Sequence, residues 1–254
     1  MFAVERRNKL LSLLNEKESI SVQEAAAYFS VAEETIRRDM SLLEEQSLLI
    51  RTHGGAVLSE SARPEISYEM RRTINISGKD RIGREAAKLV DDGDTIILDA
   101  STSAYFLAKH IKNKKNLTVI SNAQNVIKEL SEEEGIEIVS TGGVLRRKSM
   151  SYVGRIAEES LHNYHANKLF FSCMGFSLER GVTDSNGQES DIKKIMIACS
   201  QTICLLCDET KLDKVGYAST ARAEDIDLLV TDQPLQRDFS QGLAALGINV
   251  IMAE

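Results

Sequence analysis

Two arginines stand side by side in Glu34-Thr35-Ile36-Arg37-Arg38-Asp39, a stretch without proline or glycine. Arginine carries a planar fork of donors that meets phosphate or guanine bidentately, so the pair suits a polyanion if it lies on an exposed face. A second set lies far along the chain. Asp99-Ala-Ser101-Thr102-Ser103, Ser121-Asn122 and Ser140-Thr141-Gly142-Gly143 gather hydroxyls, amides and a carboxylate into short clusters. Such groups suit a small polar ligand with an anionic end. Cys204-Leu-Leu-Cys207 and His162-x-x-His165 have the formal spacing of a zinc site. The cysteines, however, sit in a β-rich apolar run, where residues three apart face opposite sides of a strand. They read as buried thiols, and neither a metal nor a cofactor is expected. Arg146-Arg147-Lys148 reads as a solvated loop and His110 as a charge partner after a helix. Four scattered histidines support no Ser/His/Asp arrangement, so no catalytic residue is assigned.

Composition narrows the classes. The 254 residues are 43% hydrophobic and 27% charged, with a formal net charge of -7. That is ordinary for a globular protein with room for a small and a medium domain. Nothing global advertises nucleic acid, so a DNA-binding surface would have to be a local concentration of positive charge. No apolar h-region opens the chain and no apolar run approaches the roughly 18 residues of a membrane span. Four cysteines without framework spacing suggest reduced thiols. A cytoplasmic location with no membrane partner is expected.

The elements around the arginine pair decide its reading. Val4, Leu10, Leu11 and Leu14 recur at helical spacing, giving a first helix with one buried face. Ser21 followed by Glu24 reads as a capping box opening a second helix, with Ile20 and Ala25 as its staple. A third helix is expected over about 33–46, with Ile36, Met40 and Leu43 on its buried face. SLLIRT and GGAVLS then read as a β-hairpin around His53-Gly54-Gly55. Three short helices and a hairpin make a winged helix-turn-helix. At about 100° per residue from Ile36, Glu34 and Arg38 point away from the core, with Thr35, Arg37 and Ser41 on the flanks. In a helix-turn-helix that face lies in the major groove. Arg51 and His53 on the hairpin add a contact to a neighbouring phosphate or groove. For the pair alone the alternative is a solvated face balanced by Glu33, Glu34 and Asp39.

After Asp94 the rhythm changes. TIILDA, LTVIS, IEIVS, KLFFS, TICLLC, DLLVT and INVIM are short β-rich runs, most of them separated by helical stretches. This alternation argues for a mainly parallel sheet wrapped by helices. The polar clusters around Asp99, Asn122 and Thr141 fall at the ends of such runs. Open α/β sheets bind ligands outside the carboxyl ends of their strands. Ser101-Thr102-Ser103 also opens a helix, where phosphate is readily held.

The stretch TIRRDMSLLEEQSLLIRTHGGAV resembles the N-terminal signature of the DeoR family of bacterial transcriptional regulators. The T-I-R-R-D core, the spacing into LEEQ and the H-G-G-A wing agree in order, and the pattern continues to the C-terminus. The family usually has Ser at the N-cap of the recognition helix, where Ala32 stands here; Ser30 with Glu33 would then form a shifted capping box. The resemblance implies a C-terminal domain similar to ribose-5-phosphate isomerase that senses a phosphorylated sugar or related metabolite. Asp208-Glu-Thr-Lys211 matches the Asp-x-x-Lys of the family's ligand pocket, with Lys211 as a point charge for phosphate. Met174-Gly175 and Gly181-Val182-Thr183 fit the family's loop opposite. Ser101 stands where the family often has Gly. An ion pair of Lys211 with Asp208 or Asp213 is the competing structural role.

The expected architecture is α/β: a small winged helix-turn-helix joined to a larger, mainly parallel sheet domain with Rossmann-like layering. Residues 1–58 form the DNA-binding domain, 59–84 a linker, and 85–254 the effector-sensing and oligomerisation domain. The expected function is a homo-oligomeric repressor of carbohydrate genes, bound to double-stranded operator DNA and released by a phosphorylated sugar. An effector that strengthens DNA binding stays open, as does the choice of dimer or tetramer. The rival is an isomerase-like enzyme with an accessory DNA-binding head. Where the isomerases carry an acidic Asp-Gly-Ala-Asp motif, this chain has Cys173-Met174-Gly175-Phe176-Ser177, leaving Asp184 and Glu189 as the nearby acids.

Overall fold

The computed structural model describes residues 3–17, 19–45, 49–52, 54–57 and 65–254. The chain divides into two compact units, Met1–Met70 and Arg71–Glu254.

The first unit contains α1 (Ala3–Lys17), β1 (Ser19–Ser21), α2 (Val22–Phe29), α3 (Glu33–Glu45), β2 (Ile50–Thr52) and β3 (Gly55–Val57). Leu10 and Leu14 of α1 and Ile36, Met40 and Leu43 of α3 meet in one buried cluster, so the apolar spacing does set the inward faces. Ser21 caps α2 by accepting the Glu24 N–H at 3.1 Å. The capping box is only half formed, because the Glu24 carboxylate pairs with Lys17 instead. Ser30 does not cap α3 either. It adopts the left-handed conformation that closes α2, its N–H bonded to the carbonyls of Ala26 and Ala27. The hairpin β2–β3 gains a third strand not expected from the sequence: β1 pairs antiparallel with β3.

α4 (Tyr68–Thr73) crosses the division, and α5 (Ile76–Ala87) belongs wholly to the second unit. The expected linker of 59–84 therefore ends too late. Asn75 caps α5, and Ile82 and Ala86 sit in the core of the larger unit. Residues 58–64 lie outside the described residues.

The larger unit continues with β4 (Thr95–Leu98), α6 (Thr102–His110), β5 (Leu117–Ser121), α7 (Gln124–Leu130), β6 (Ile136–Ser140), β7 (Val144–Arg146) and β8 (Ser151–Val153). Then follow α8 (Arg155–Leu161), β9 (Ala166–Phe171), β10 (Gly175–Ser177), β11 (Gly181–Asp184), α9 (Gly187–Ala198) and β12 (Ser200–Leu206). A 3-10 turn (Glu209–Lys211), β13 (Ala218–Ala221), β14 (Leu228–Thr231), α10 (Arg237–Ala245) and β15 (Asn249–Met252) complete it. Seven strands form one sheet in the order β15-β14-β12-β9-β4-β5-β6, every neighbouring pair parallel. One apolar core lies on each face, as burial of a parallel sheet requires. Cys207 belongs to one core and Cys204 to the other, so the C-x-x-C pair does face opposite sides. The strand order reverses between β4 and β9, the topological switch point of a doubly wound sheet. A hairpin β7–β8 and a small antiparallel sheet β10-β11-β13 lie apart from the main sheet.

Candidate functional site

On the first unit, α3 turns Ile36 and Met40 inward and leaves Glu34, Arg37 and Arg38 exposed. Arg37 is held by Glu33 one turn earlier, at 3.2 Å. Among the described residues no acid pairs with Arg38. Asp39 does not balance the arginine pair. It is buried and accepts Arg6 at 2.6 Å, with Arg7 at 3.6 Å, so it clamps α1 to α3 from behind the exposed face. The wing is tied to the same helix: the Arg51 guanidinium donates to the Ser41 hydroxyl at 2.7 Å, and the Arg51 N–H donates to Glu44 at 2.9 Å. A cleft results, lined by Arg6, Arg7, Arg37, Arg38 and Arg51 with Glu34, Thr35, Asp39 and Ser41. Arg37, Arg38 and Arg51 are the exposed cations of this cleft, while Arg6 and Arg7 are engaged by Asp39. His53 lies outside the described residues.

In the second unit, the ends of β4 and β9 meet at the switch point. Asp99, 1% exposed, accepts the Ser101 N–H at 3.1 Å and the Ser172 N–H at 3.2 Å. The Ser172 hydroxyl accepts the Lys211 ammonium at 2.8 Å, and Asp208 stands 3.6 Å from that ammonium. Burial presses the Lys211 pKa down, but Asp208 together with Cys173 and Cys207 brings the ammonium above its ordinary value. Asp208 moves oppositely: burial raises it, while the charge of Lys211 and the Thr210 donors bring it below the usual carboxylate range. Both groups are therefore charged at neutral pH. Ser101 is the N-cap of α6, accepting the Ala104 N–H at 3.0 Å. In the same first turn the buried Ser103 hydroxyl has no hydrogen-bond partner among the described residues, and neither has the Asn122 side-chain oxygen beyond β5. Leaving such groups unpaired costs about 1–3 kcal/mol each, a cost that a polar ligand at this edge would offset.

Asp99, Ser101, Thr102, Ser103 and Asn122 thus share the carboxyl edge of β4 and β5, and Ser172 links Asp99 to Lys211 across the switch point. Thr141 is joined to them by backbone, its N–H bonded to the Ser121 carbonyl. Gly142 and Gly143 follow with φ of 62° and 111°, a left-handed turn that glycine adopts without strain. Gly175 and Thr183 take a different place. A Cβ on Gly175 would stand 2.2 Å from the Lys214 carbonyl oxygen, so this glycine is required by packing. The Thr183 hydroxyl is consumed by the Gly175 carbonyl and the Gly216 N–H. Both residues fasten the small sheet.

The residue after Thr183 does reach the centre. Asp184 accepts the Lys193 ammonium at 2.9 and 3.0 Å, and Lys193 also meets Asp99 at 3.3 Å and the Ser172 carbonyl at 2.7 Å. Burial opposes the charge on Lys193, but Asp184 and Asp99 outweigh it and raise its pKa. One turn earlier on α9, Glu189 accepts from the hydroxyls of Ser149 and Ser151 at 2.7 and 2.5 Å, with Arg146 at 3.4 Å. Burial raises the Glu189 pKa, and those hydroxyls with the charges of Lys193 and Arg146 bring it below the ordinary range. Arg146 is therefore an internal partner and not a solvated loop residue. His110, at the end of α6, lies within hydrogen-bond distance of Asp80, 3.0 Å from its carboxylate. Lys193, Ser172 and Asp232 were not singled out from sequence. The buried α9 face of Glu189, Ile192, Lys193 and Met196 carries the missed signal, because charged residues on a helix's inward face must be paired.

Residues 6–62 match the DeoR-like helix-turn-helix domain, and residues 74–233 match the DeoR C terminal sensor domain. The uncharacterized HTH-type transcriptional regulator YulB of Bacillus subtilis (strain 168) is 43% identical over 235 residues, covering 92% of this chain and 91% of that one. The HTH-type transcriptional repressor GlcR of the same organism is 35% identical over 254 residues, covering 100% of this chain and 98% of the other. Among solved structures, ribose 5-phosphate isomerase A from Methanocaldococcus jannaschii is similar with a TM-score of 0.41 and 19% identity, over 54% of this chain and 55% of that one. A winged helix-turn-helix unit with an arginine-lined face, followed by an α/β sensor unit, defines a DNA-binding transcriptional regulator. The chain belongs to the DeoR family.

Proposed function

We propose that this regulator is a cytoplasmic, homo-oligomeric repressor of carbohydrate genes, released from its operator by a phosphorylated sugar or a related metabolite. The observation that carries the effector reading is the assembly at the β4/β9 switch point. A charged lysine, the start of α6 and two unpaired buried oxygens stand beside the fixed carboxylate of Asp99. Lys211 and the α6 N-terminus suit a phosphate dianion, and Asp99, Asn122 and Thr141 suit sugar hydroxyls. Arg37, Arg38, Thr35, Ser41 and Arg51 are the proposed DNA contacts, with Glu34 at the groove edge. Release requires only that the metabolite prefer the arrangement that does not bind DNA; a coupling of about 1–3 kcal/mol is typical.

The isomerase-like reading rests on Asp184 and Glu189, and their engagement supports binding over turnover. Asp184 is held by Lys193 and Thr220, and Glu189 by two serines and Arg146. A general base needs to be within reach of a substrate proton, and both acids are spent on internal partners.

The test is an operator selected in vitro with the full chain, then titrated with and without a panel of phosphorylated sugars and their unphosphorylated parents. At least one phosphorylated sugar is expected to weaken operator binding of the parent protein. Lys211→Ala should bind operator normally and ignore that sugar. A folded Lys211→Ala protein that releases DNA at the parent's sugar concentration would remove Lys211 from the site.

A further inference from the structure

α5 carries a buried lysine that feels the charge of Lys211. Lys79 of α5 is 3% exposed, yet among the described residues no carboxylate makes a close ion pair with its ammonium. It donates to the carbonyls of Arg71 and Ile74, at 2.7 and 2.5 Å, at the end of α4. These are among the first residues of the sensor unit, directly after the chain leaves the DNA-binding unit. One carboxylate joins this corner to the Lys211 turn. Asp232 accepts the Glu209 N–H at 2.9 Å with one oxygen and the Asn75 side-chain amide at 2.9 Å with the other, and Asn75 caps α5.

We propose that Lys79 is a positioning residue of the effector site: an anion held at Lys211 strengthens its grip on the Arg71 and Ile74 carbonyls. The inference rests on the anion-site reading given above. Its physical basis is the balance of charge around the ammonium. Burial and the charges of Lys211 and Arg71 disfavour the protonated form, Asp208 and Asp232 favour it, and the sum brings the Lys79 pKa down to about 7. Lys79 is thus poised where one added negative charge decides its state. An anion on Lys211 offsets the repelling ammonium, Lys79 takes a proton from solvent, and a neutral amine becomes a charged donor. Charged donors hold carbonyls more strongly than neutral ones. The effector's charge is thereby converted into a tighter junction between α4 and α5.

The sign of the linkage follows. If anion binding carries a proton with it, affinity is highest below pH 7 and falls as pH rises past the free-state value. Inorganic sulfate is the probe, because it remains a dianion throughout this range. Its dissociation constant is measured by thermal shift at constant ionic strength from pH 6 to 9, on the full chain. The parent's constant should rise above pH 7, by up to about tenfold per pH unit, the limit for one linked proton. Lys79→Gln keeps an N–H donor for the carbonyls but cannot gain charge, so its constant should be flat. Hydrogen exchange of residues 71–79 should slow on sulfate binding in the parent and stay unchanged in the variant. The parent's slope persisting in Lys79→Gln, or a flat parent, overturns the inference. If the glutamine variant fails to fold, Lys79→Arg decides, since a permanently charged side chain must also abolish the slope. Failure of the underlying site has a different signature: no sulfate binding at any pH, or equal binding by Lys211→Ala.

Discussion

Replacing Lys193 by methionine leaves Asp99 and Asp184 buried without their shared cation. Asp99 is 1% exposed and Asp184 6%, so neither carboxylate can be rescued by water without local opening. Breaking a buried pair by removing one partner costs about 3–5 kcal/mol. Some compensation remains, because Asp99 keeps two backbone donors and Asp184 keeps the Thr220 hydroxyl. The expected loss is therefore at the lower end, about 3 kcal/mol. For a unit of this size each kcal/mol moves the midpoint by roughly 2–4 °C, so Lys193→Met should lower the sensor transition by about 6–12 °C. Urea unfolding followed by tyrosine fluorescence and circular dichroism reads the same loss as free energy. The decisive comparison is Lys193→Met with Asp184→Asn. Removing a charge of each sign should be less damaging than the sum of the single variants, because one stranded carboxylate disappears with the cation. A loss below about 1 kcal/mol for Lys193→Met, or strict additivity in the double variant, would refute a charge-compensated centre.

Arg38→Ala should abolish discrimination of the selected operator, a loss of about 1–3 kcal/mol by anisotropy, without moving the melting temperature. Arg37→Ala should weaken all DNA sequences alike and lower the salt slope by about one. Asp39→Asn should instead destabilise the DNA-binding unit, by about 1–3 kcal/mol in its own unfolding transition, because it opens the clamp with Arg6 and Arg7. Glu189 sets an acid limb. Its folded pKa lies below its unfolded value of about 4.3, so its contribution is complete above that pH and is lost as pH falls through the folded value. Glu189→Gln should therefore flatten the loss of stability between about pH 5 and 3, measured by urea unfolding at each pH.

The parallel sheet was legible because its strands are apolar runs, several of which end in small polar residues. All seven such runs, from TIILDA to INVIM, became its strands. The recognition helix was legible for a similar reason, its inward face being spaced as Ile36, Met40 and Leu43. What escaped were elements too short for periodicity to act on. Ser19–Ser21 is three residues between two helices, and only pairing with β3 makes it a strand. The groups that meet at the switch point were legible in part. Ser101 and Asp99 declare themselves by sitting between a strand and a helix, whereas Lys193 looks like one of two consecutive lysines on a helix. Only the packing of α9 shows that Lys193 faces inward while Lys194 is solvated. Gly175 and Thr183 show the converse, since a residue expected beside a site also holds a neighbouring backbone. Asp39 is the same lesson within the TIRRD motif, where the acid serves the fold.

The arginine-lined cleft has a consequence for how the protein searches a chromosome. The first 70 residues hold twelve Asp and Glu against eight Lys and Arg, yet five of those eight line one side. Such a body is an electric dipole whose sum is negative. If the cleft is the DNA contact proposed above, the field of DNA would turn the unit arginines-first and disfavour other orientations. With few cations available to displace counterions, its dwell on random sequence is short, and residence comes to depend on the base contacts made once α3 is seated. On that reading the unit's acidic excess would act as an orienting device, trading non-specific affinity for faster rejection of wrong sites.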